Sequence, residues 1–144
     1  MTSRIALPDL NDTELAVLKA LWRERRLSAR ELHQRVGAAQ GWAASTTRTT
    51  LDRMAAKGLL EKRSFHGLNL YQPAVSRPAA LARRVRDFAG QVLEIDWPPV
   101  VSLFAESEAL SAEEIDELER LLAATDGEDE SGGGDGAEQG ADEA

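Results

Sequence analysis

The strongest constraint on this chain is a change of period near residue 60. Before it, short stretches carry apolar residues at spacings of three and four, the stripe of amphipathic helices. After it come two runs of strand character, Leu60–Phe65 and Leu68–Gln72, separated by His66-Gly67 and closed by Pro73. A two-residue connector containing Gly predicts a hairpin. Upstream, Leu15, Leu18, Leu21 and Trp22 mark a first helix, with Asn11 or Asp12 as its cap and Glu14 in its positive first turn. Ser28-Ala-Arg-Glu31 is a capping box that opens a second helix, with Leu32 and Val36 inward and an expected end near Gly37. Gly41-Trp42 reads as a connector. A third helix starts at Ser45 or a neighbour, buries Thr47, Thr50, Leu51 and Met54, and stops at Lys57-Gly58. Three helices and a hairpin in that order predict a winged helix.

Downstream, a helix is expected from Pro78 to about Leu93, with Leu81, Val85, Phe88 and Val92 in register. Trp97-Pro98-Pro99 breaks it and starts another through Val100, Val101 and Phe104. Ser111-Ala-Glu-Glu114 is a second capping box, opening a helix that carries Ile115, Leu118, Leu121 and Leu122. Beyond Thr125 there is no hydrophobe larger than Ala. Such a segment cannot offset its ordering entropy and is expected to be disordered. The fold class expected is mainly α with a small β-hairpin. The domains expected are a winged helix-turn-helix over 1–75, a helical dimerisation segment over 76–124 and an acidic tail over 125–144.

Charge is also divided along the chain. Residues 1–86 hold 16 Lys and Arg against 7 Asp and Glu, a net of +9, whereas residues 87–144 hold 1 against 18, a net of −17. The overall −8 therefore hides a basic half suited to an anionic partner and an acidic half with another task. With no cysteine in the chain, disulfides, thiolate metal sites and cysteine catalysis are excluded. The N-terminus lacks the apolar core of a signal peptide, and no stretch approaches a membrane span. A cytoplasmic protein is expected, with no membrane insertion. His33 and His66 are isolated, the acidic pairs Glu106/Glu108 and Glu113/Glu114 sit at helix starts and in loops, and Gly132-Gly133-Gly134 has no following Lys or helix. No catalytic residue, metal site or cofactor is expected.

The third helix carries the functional expectation. Its outward face offers Ser45, Arg48, Thr49 and Arg53, with Thr46 at the edge and Asp52 among them. Hydroxyls and arginines can address bases and phosphates in the major groove of double-stranded DNA, and threonine methyls suit thymine. Lys57, Lys62 and Arg63 are placed to hold the backbone, with Ser28 and Arg30 assisting from the second helix. Asp52 is expected to pair with Arg48. The competing readings are a solvated helix face with clustered arginines, and a winged-helix module that binds a protein and no DNA.

Trp42, Thr46-x-x-Thr49, Arg53, Lys57-Gly58-Leu59-Leu60 and Tyr71-x-Pro73 together resemble the BlaI/MecI/CopY family of penicillinase-type repressors. The resemblance extends upstream through Leu10-x-x-x-Glu14-x-x-x-Leu18-x-x-Leu21-Trp22. Downstream it takes in Asp87-Phe88 and the run from Leu103-Phe104 to Leu118, covering roughly residues 7–123. It implies a winged-helix N-terminal domain, a helical C-terminal domain that intertwines with its twin, and repression through short inverted repeats in operator DNA. By position, Thr46, Thr49 and Arg53 match the family's reading-helix motif, whereas Ser45 and Arg48 fall at variable positions. The wing departs from the pattern, because Leu68 follows Gly67 where an arginine is usual. The copper-responsive branch ends in a cysteine motif that this chain lacks. Some relatives are inactivated when a membrane sensor-protease system triggers a cut, and the matching place here is Leu103-Phe104; a plain core role is the alternative.

Homodimerisation is also expected on physical grounds. Leu81, Phe88, Val92, Trp97, Val101, Phe104, Leu118, Leu121 and Leu122 present more apolar surface than so short a segment is expected to cover alone. The alternative is packing within one chain. The acidic tail is read as a solubilising segment, with competition against DNA for the basic face as its rival.

Overall fold

The computed structural model describes residues 7–125. Two compact units divide at Arg77/Pro78: one is Leu10–Arg77, and the other joins the residues before Leu10 to those from Pro78 onward. The expected tail disorder lies outside the described residues. No helix among the described residues is long and apolar enough to cross a membrane.

In the Leu10–Arg77 unit, helix α1 (Asp12–Glu24) is capped by Asn11. The Asn11 side chain accepts from the Glu14 amide at 2.8 Å, and the Glu14 carboxylate accepts from the Asn11 amide at 3.1 Å. Val17, Leu18, Ala20 and Leu21 face the core. Trp22 is half-buried and donates its ring N–H to the Val75 carbonyl at 2.9 Å. Leu27–Ser28 form a short strand, β1, that the sequence reading did not contain. Ser28 also caps α2 (residues 29–40): its hydroxyl accepts from the Glu31 amide at 3.1 Å, and Glu31 accepts from the Ser28 amide at 2.9 Å.

Contrary to the expected end near Gly37, α2 does not stop there. The helix passes through a widened turn at His33–Gly37 and continues to Gln40, where Gly41 takes the left-handed cap at φ 79°. Gly37 has an ordinary helical φ of −60°. Its missing side chain serves packing instead, because a Cβ there would collide with the Thr47 hydroxyl and the His33 ring.

Helix α3 (Ala44–Ala56) begins one residue before Ser45, behind an Ala43 that offers no side-chain cap. Thr47, Leu51 and Met54 point inward as expected, with Thr50 half-buried. Lys57 ends the helix, and Gly58 turns the chain at φ 83°. Strands β2 (Leu60–Phe65) and β3 (Leu68–Pro73) pair antiparallel from Leu60↔Pro73 to Phe65↔Leu68. His66 (φ 53°) and Gly67 (φ 80°) make the tight left-handed turn that suits the strand twist. β1 pairs with β3, so the sheet order is β1-β3-β2. This is a winged helix with a three-stranded sheet, in a chain that is otherwise mainly helical.

In the other unit, α4 runs over Arg77–Asp87 and continues as a widened turn, Phe88–Leu93. Helix α5 spans Pro98–Ser107 with proline in its first turn, and α6 covers residues 112–125. The Ser111/Glu114 box caps α6 with bonds of 3.1 and 2.9 Å. Thr125, first residue of the expected tail, is instead buried in the last turn of α6 and donates to the Leu121 carbonyl at 2.8 Å.

The core here combines Leu7, Ala82, Val85, Ala89, Val100, Val101, Leu110, Leu118 and Leu122, with Leu81, Trp97, Phe104 and Leu121 partly buried against it. Two expectations are corrected by this packing. Leu81, Val85, Phe88 and Val92 do not form one inward stripe: Ala82, Val85 and Ala89 point in, and Phe88 and Val92 are 47% and 63% exposed. Small side chains on the inner face let the neighbouring helices approach, and the bulky ones are left outside. Nor is the whole apolar set free for a partner, because Val101, Leu118 and Leu122 are engaged in their own chain's core.

Candidate nucleic-acid interface

The outward face of α3 is built by its inward one. With Thr47, Leu51 and Met54 fixed in the core, the helical period leaves Ser45, Thr46, Arg48, Thr49, Asp52 and Arg53 exposed. The seat is set by α2: His33 Nδ1 lies 2.7 Å from the Thr47 hydroxyl, directly over Gly37. Among the described residues, Arg48 and Arg53 make no ion pair and no side-chain hydrogen bond, and the same holds for the hydroxyls of Ser45, Thr46 and Thr49. Since Ala43 rather than Ser45 stands at the helix start, neither nearby hydroxyl is taken up by capping.

Asp52 is not paired with Arg48. It accepts from the Tyr71 hydroxyl at 3.1 Å and faces the Lys62 ammonium at 3.5 Å, tying α3 to the base of the wing. Tyr71 is 2% exposed. Burial, then its hydrogen bond to Asp52 and that carboxylate's charge, push the phenol up to about 12, against a smaller opposing influence from Arg48. Lys62 lies 5.8 Å from the centre of the Tyr71 ring. Buried Tyr71 and half-exposed Lys62 therefore brace α3 at a site that no local pattern reveals.

A cleft of about 760 Å³ runs between the start of α2, α3 and the wing, lined by Arg30, Arg48 and Lys62 among others. Arg30 is exposed and unpaired among the described residues. Two expected contacts are reassigned. Ser28 is 8% exposed and engaged in its capping box, so it positions α2. The Lys57 ammonium pairs with Glu14, a carboxylate only 5% exposed that also belongs to the α1 capping box. Lys57 thus neutralises a buried charge and fastens the end of α3 to the start of α1. Arg63 bonds Glu61 at 3.3 Å, but both are exposed and the pair is easily exchanged. Glu61 is held below the usual carboxylate range by Gln72 first and Arg63 second.

Leu103 is 63% exposed on α5, whereas Phe104 is partly buried against the core. Among the described residues, no group of three His, Asp or Glu side chains could hold a metal ion.

A helix with unpaired arginines and hydroxyls on its outer face, seated by a second helix and flanked by a hairpin, defines a helix-turn-helix regulator of the winged class. Residues 10–124 match the model of the penicillinase repressor family, and the chain belongs to that family of transcriptional repressors. Among similar proteins, the penicillinase repressor of Bacillus licheniformis is 26% identical over 116 residues, spanning 81% of this chain and 91% of the relative. The methicillin resistance regulatory proteins MecI of Mammaliicoccus sciuri and of Staphylococcus aureus strain N315 are each 24% identical over 114 residues, spanning 79% of this chain and 93% of theirs.

Proposed function

We propose that this repressor acts as a homodimer on an inverted-repeat operator in double-stranded DNA, in the cytoplasm and without catalytic activity of its own. The observation that carries the reading is the outer face of α3, where Arg48 and Arg53 stand exposed and free of ion pairs among the described residues. Two exposed arginines and three hydroxyls on one helix face offer an anionic, hydrogen-bonding partner such as duplex DNA charge-assisted contacts to phosphate and base edges. Thr46, Thr49 and Arg53 supply the contacts the family motif implies, and Ser45 and Arg48 adjust sequence preference. Arg30 and Lys62 line the cleft as backbone contacts, with Arg63 nearby.

In this reading, the Leu10–Arg77 unit binds DNA, the unit that runs on from Pro78 to Thr125 carries the dimer contact, and residues 126–144 are a solubilising acidic tail. The two-fold contact uses the large hydrophobics left outside the core, namely Phe88, Val92, Leu93, Ile95 and Leu103. A two-fold axis presents one reading helix to each half-site, about one helical turn apart. A cut at Leu103-Phe104 by a membrane sensor-protease system, the inactivation that the resemblance implies, would sever α5 and withdraw Phe104 from the core.

Selection of duplexes from a random-sequence pool by the full chain tests this. The expected product is an inverted repeat with half-sites about one turn apart, bound by two chains in sedimentation. A pool that stays random after repeated rounds would sink the DNA reading and leave a winged-helix module for protein partners.

A further inference from the structure

Within the Leu10–Arg77 unit, the exposed large hydrophobics among the described residues are Phe65 and Leu68, 52% and 55% exposed. They oppose each other in the last cross-strand pair of the wing and so project from the same face of the hairpin. The His66 ring meets Phe65 edge-on, with ring centres 4.3 Å apart. The hairpin is anchored at its base by buried Leu60 and Tyr71, whereas the Phe65 and Leu68 side chains stand out in solvent.

The surroundings of this knob are cationic. The Arg26 guanidinium lies 5.8 Å from the centre of the Phe65 ring. Arg63 is two residues down the strand, and its exposed partner Glu61 is the only acid in β2 or β3. Gly67 and Leu68 border the same cleft as Arg30, Arg48 and Lys62. A two-residue apolar knob between cations matches the minor groove of duplex DNA, where sugar and base-edge C–H surface lies between two rows of phosphate. It is too small for the broad apolar area of a stable protein interface.

We propose that the wing tip is an apolar minor-groove contact, in which Phe65 and Leu68 pack on deoxyribose and base edges beside the site read by α3, and Arg26 and Arg63 take the flanking phosphates. This rests on the DNA-binding reading and deepens it: the wing that lacks the usual arginine grips by dispersion and apolar burial instead. The apolar part of this contact releases no counterions, so Phe65 and Leu68 add affinity without adding salt dependence.

The test uses the full chain and the duplex that the wild-type chain selects from a random pool, with affinity measured across salt concentrations. The Phe65→Ala/Leu68→Ala double variant is expected to bind about tenfold more weakly, from the lost apolar area. Its log–log salt slope should stay unchanged, and hydroxyl-radical protection should vanish only at the sugars flanking the half-site. Phe65→Arg, which keeps the fold by another exposed side chain, should restore affinity at low salt with a slope steeper by about one. The inference is overturned if the double variant binds as tightly as wild type, if its slope falls, or if it loses self-association with its half-site affinity intact. A wild-type chain that binds no duplex removes the DNA reading itself, a result separate from all of these.

Discussion

Helix α3 and the wing lie in one unit and differ in how they treat charge. α3 fixes its inner face with Thr47, Leu51 and Met54 and leaves Arg48 and Arg53 unpaired outside. The wing instead compensates its charges locally, Lys62 with Asp52 and Arg63 with Glu61, and exposes Phe65 and Leu68 at its tip. Uncompensated charge on a helix face leaves α3 able to take an anionic partner. A neutralised ribbon with an apolar tip adds contact area but little charge. On the proposed reading, specificity and salt dependence therefore reside in α3, and the wing contributes affinity that salt barely changes.

Four outcomes would sharpen or break that contrast. The largest concerns the arginines: Arg48→Ala/Arg53→Ala should weaken binding to the selected duplex about a hundredfold and flatten the salt slope. Lys62→Ala/Arg63→Ala, on the wing, should cost only a few-fold. Comparable losses from both pairs would erase the distinction between helix and wing.

Next is the seat of α3. Gly37→Ala places a methyl against the Thr47 hydroxyl and the His33 ring and should destabilise the unit by about 2 kcal/mol, an overpacking cost. Thermal denaturation measures this, and a melting point equal to wild type would show that α2 and α3 can part without penalty. A smaller effect is expected at Lys57. Replacement by Met leaves the buried Glu14 carboxylate without its cation and should cost about 1 kcal/mol of stability, tempered by the half-exposed lysine. The salt slope of DNA binding should not move, and a flatter slope would return Lys57 to the backbone contacts.

The smallest effect at neutral pH lies at the joint between helix and wing. Tyr71 is the only tyrosine, so absorbance near 295 nm follows its ionisation alone. Its phenol is raised from 10.0 to about 12 by burial and Asp52. The folded form therefore holds the proton more tightly than the unfolded chain does. This contribution to stability is complete below about pH 10 and is lost as pH climbs towards 12. Titration at an ordinary phenol pH in the folded protein would contradict the brace.

Much of this architecture was legible from the sequence because it is local. The capping boxes at Ser28 and Ser111, the inward stripe of α3 and the His66-Gly67 turn all rest on residues within a few positions of one another. The misreadings came from contacts between distant segments. Gly37 has the composition of a helix stop, yet its role depends on Thr47, which approaches only in the folded unit. Lys57 reads as a surface cation until Glu14, 43 residues away, is found buried beneath it. Asp52 has Arg48 one helical turn away, but Tyr71 arrives from β3 and takes the carboxylate. Strand β1 is only two residues long, too short for periodicity to register. In the C-terminal unit, heptad-like spacing overstated the inward face because Ala82 and Ala89 carry the close packing that larger residues usually announce.

The most direct test of the central claim, that a chain of net charge −8 binds duplex DNA through its basic winged helix, is the affinity of the full chain for its selected duplex as a function of salt. A log–log slope of about −4 or steeper is predicted, as expected when several cations displace counterions from phosphate. A flat dependence, or no binding at about 50 mM salt, would contradict it.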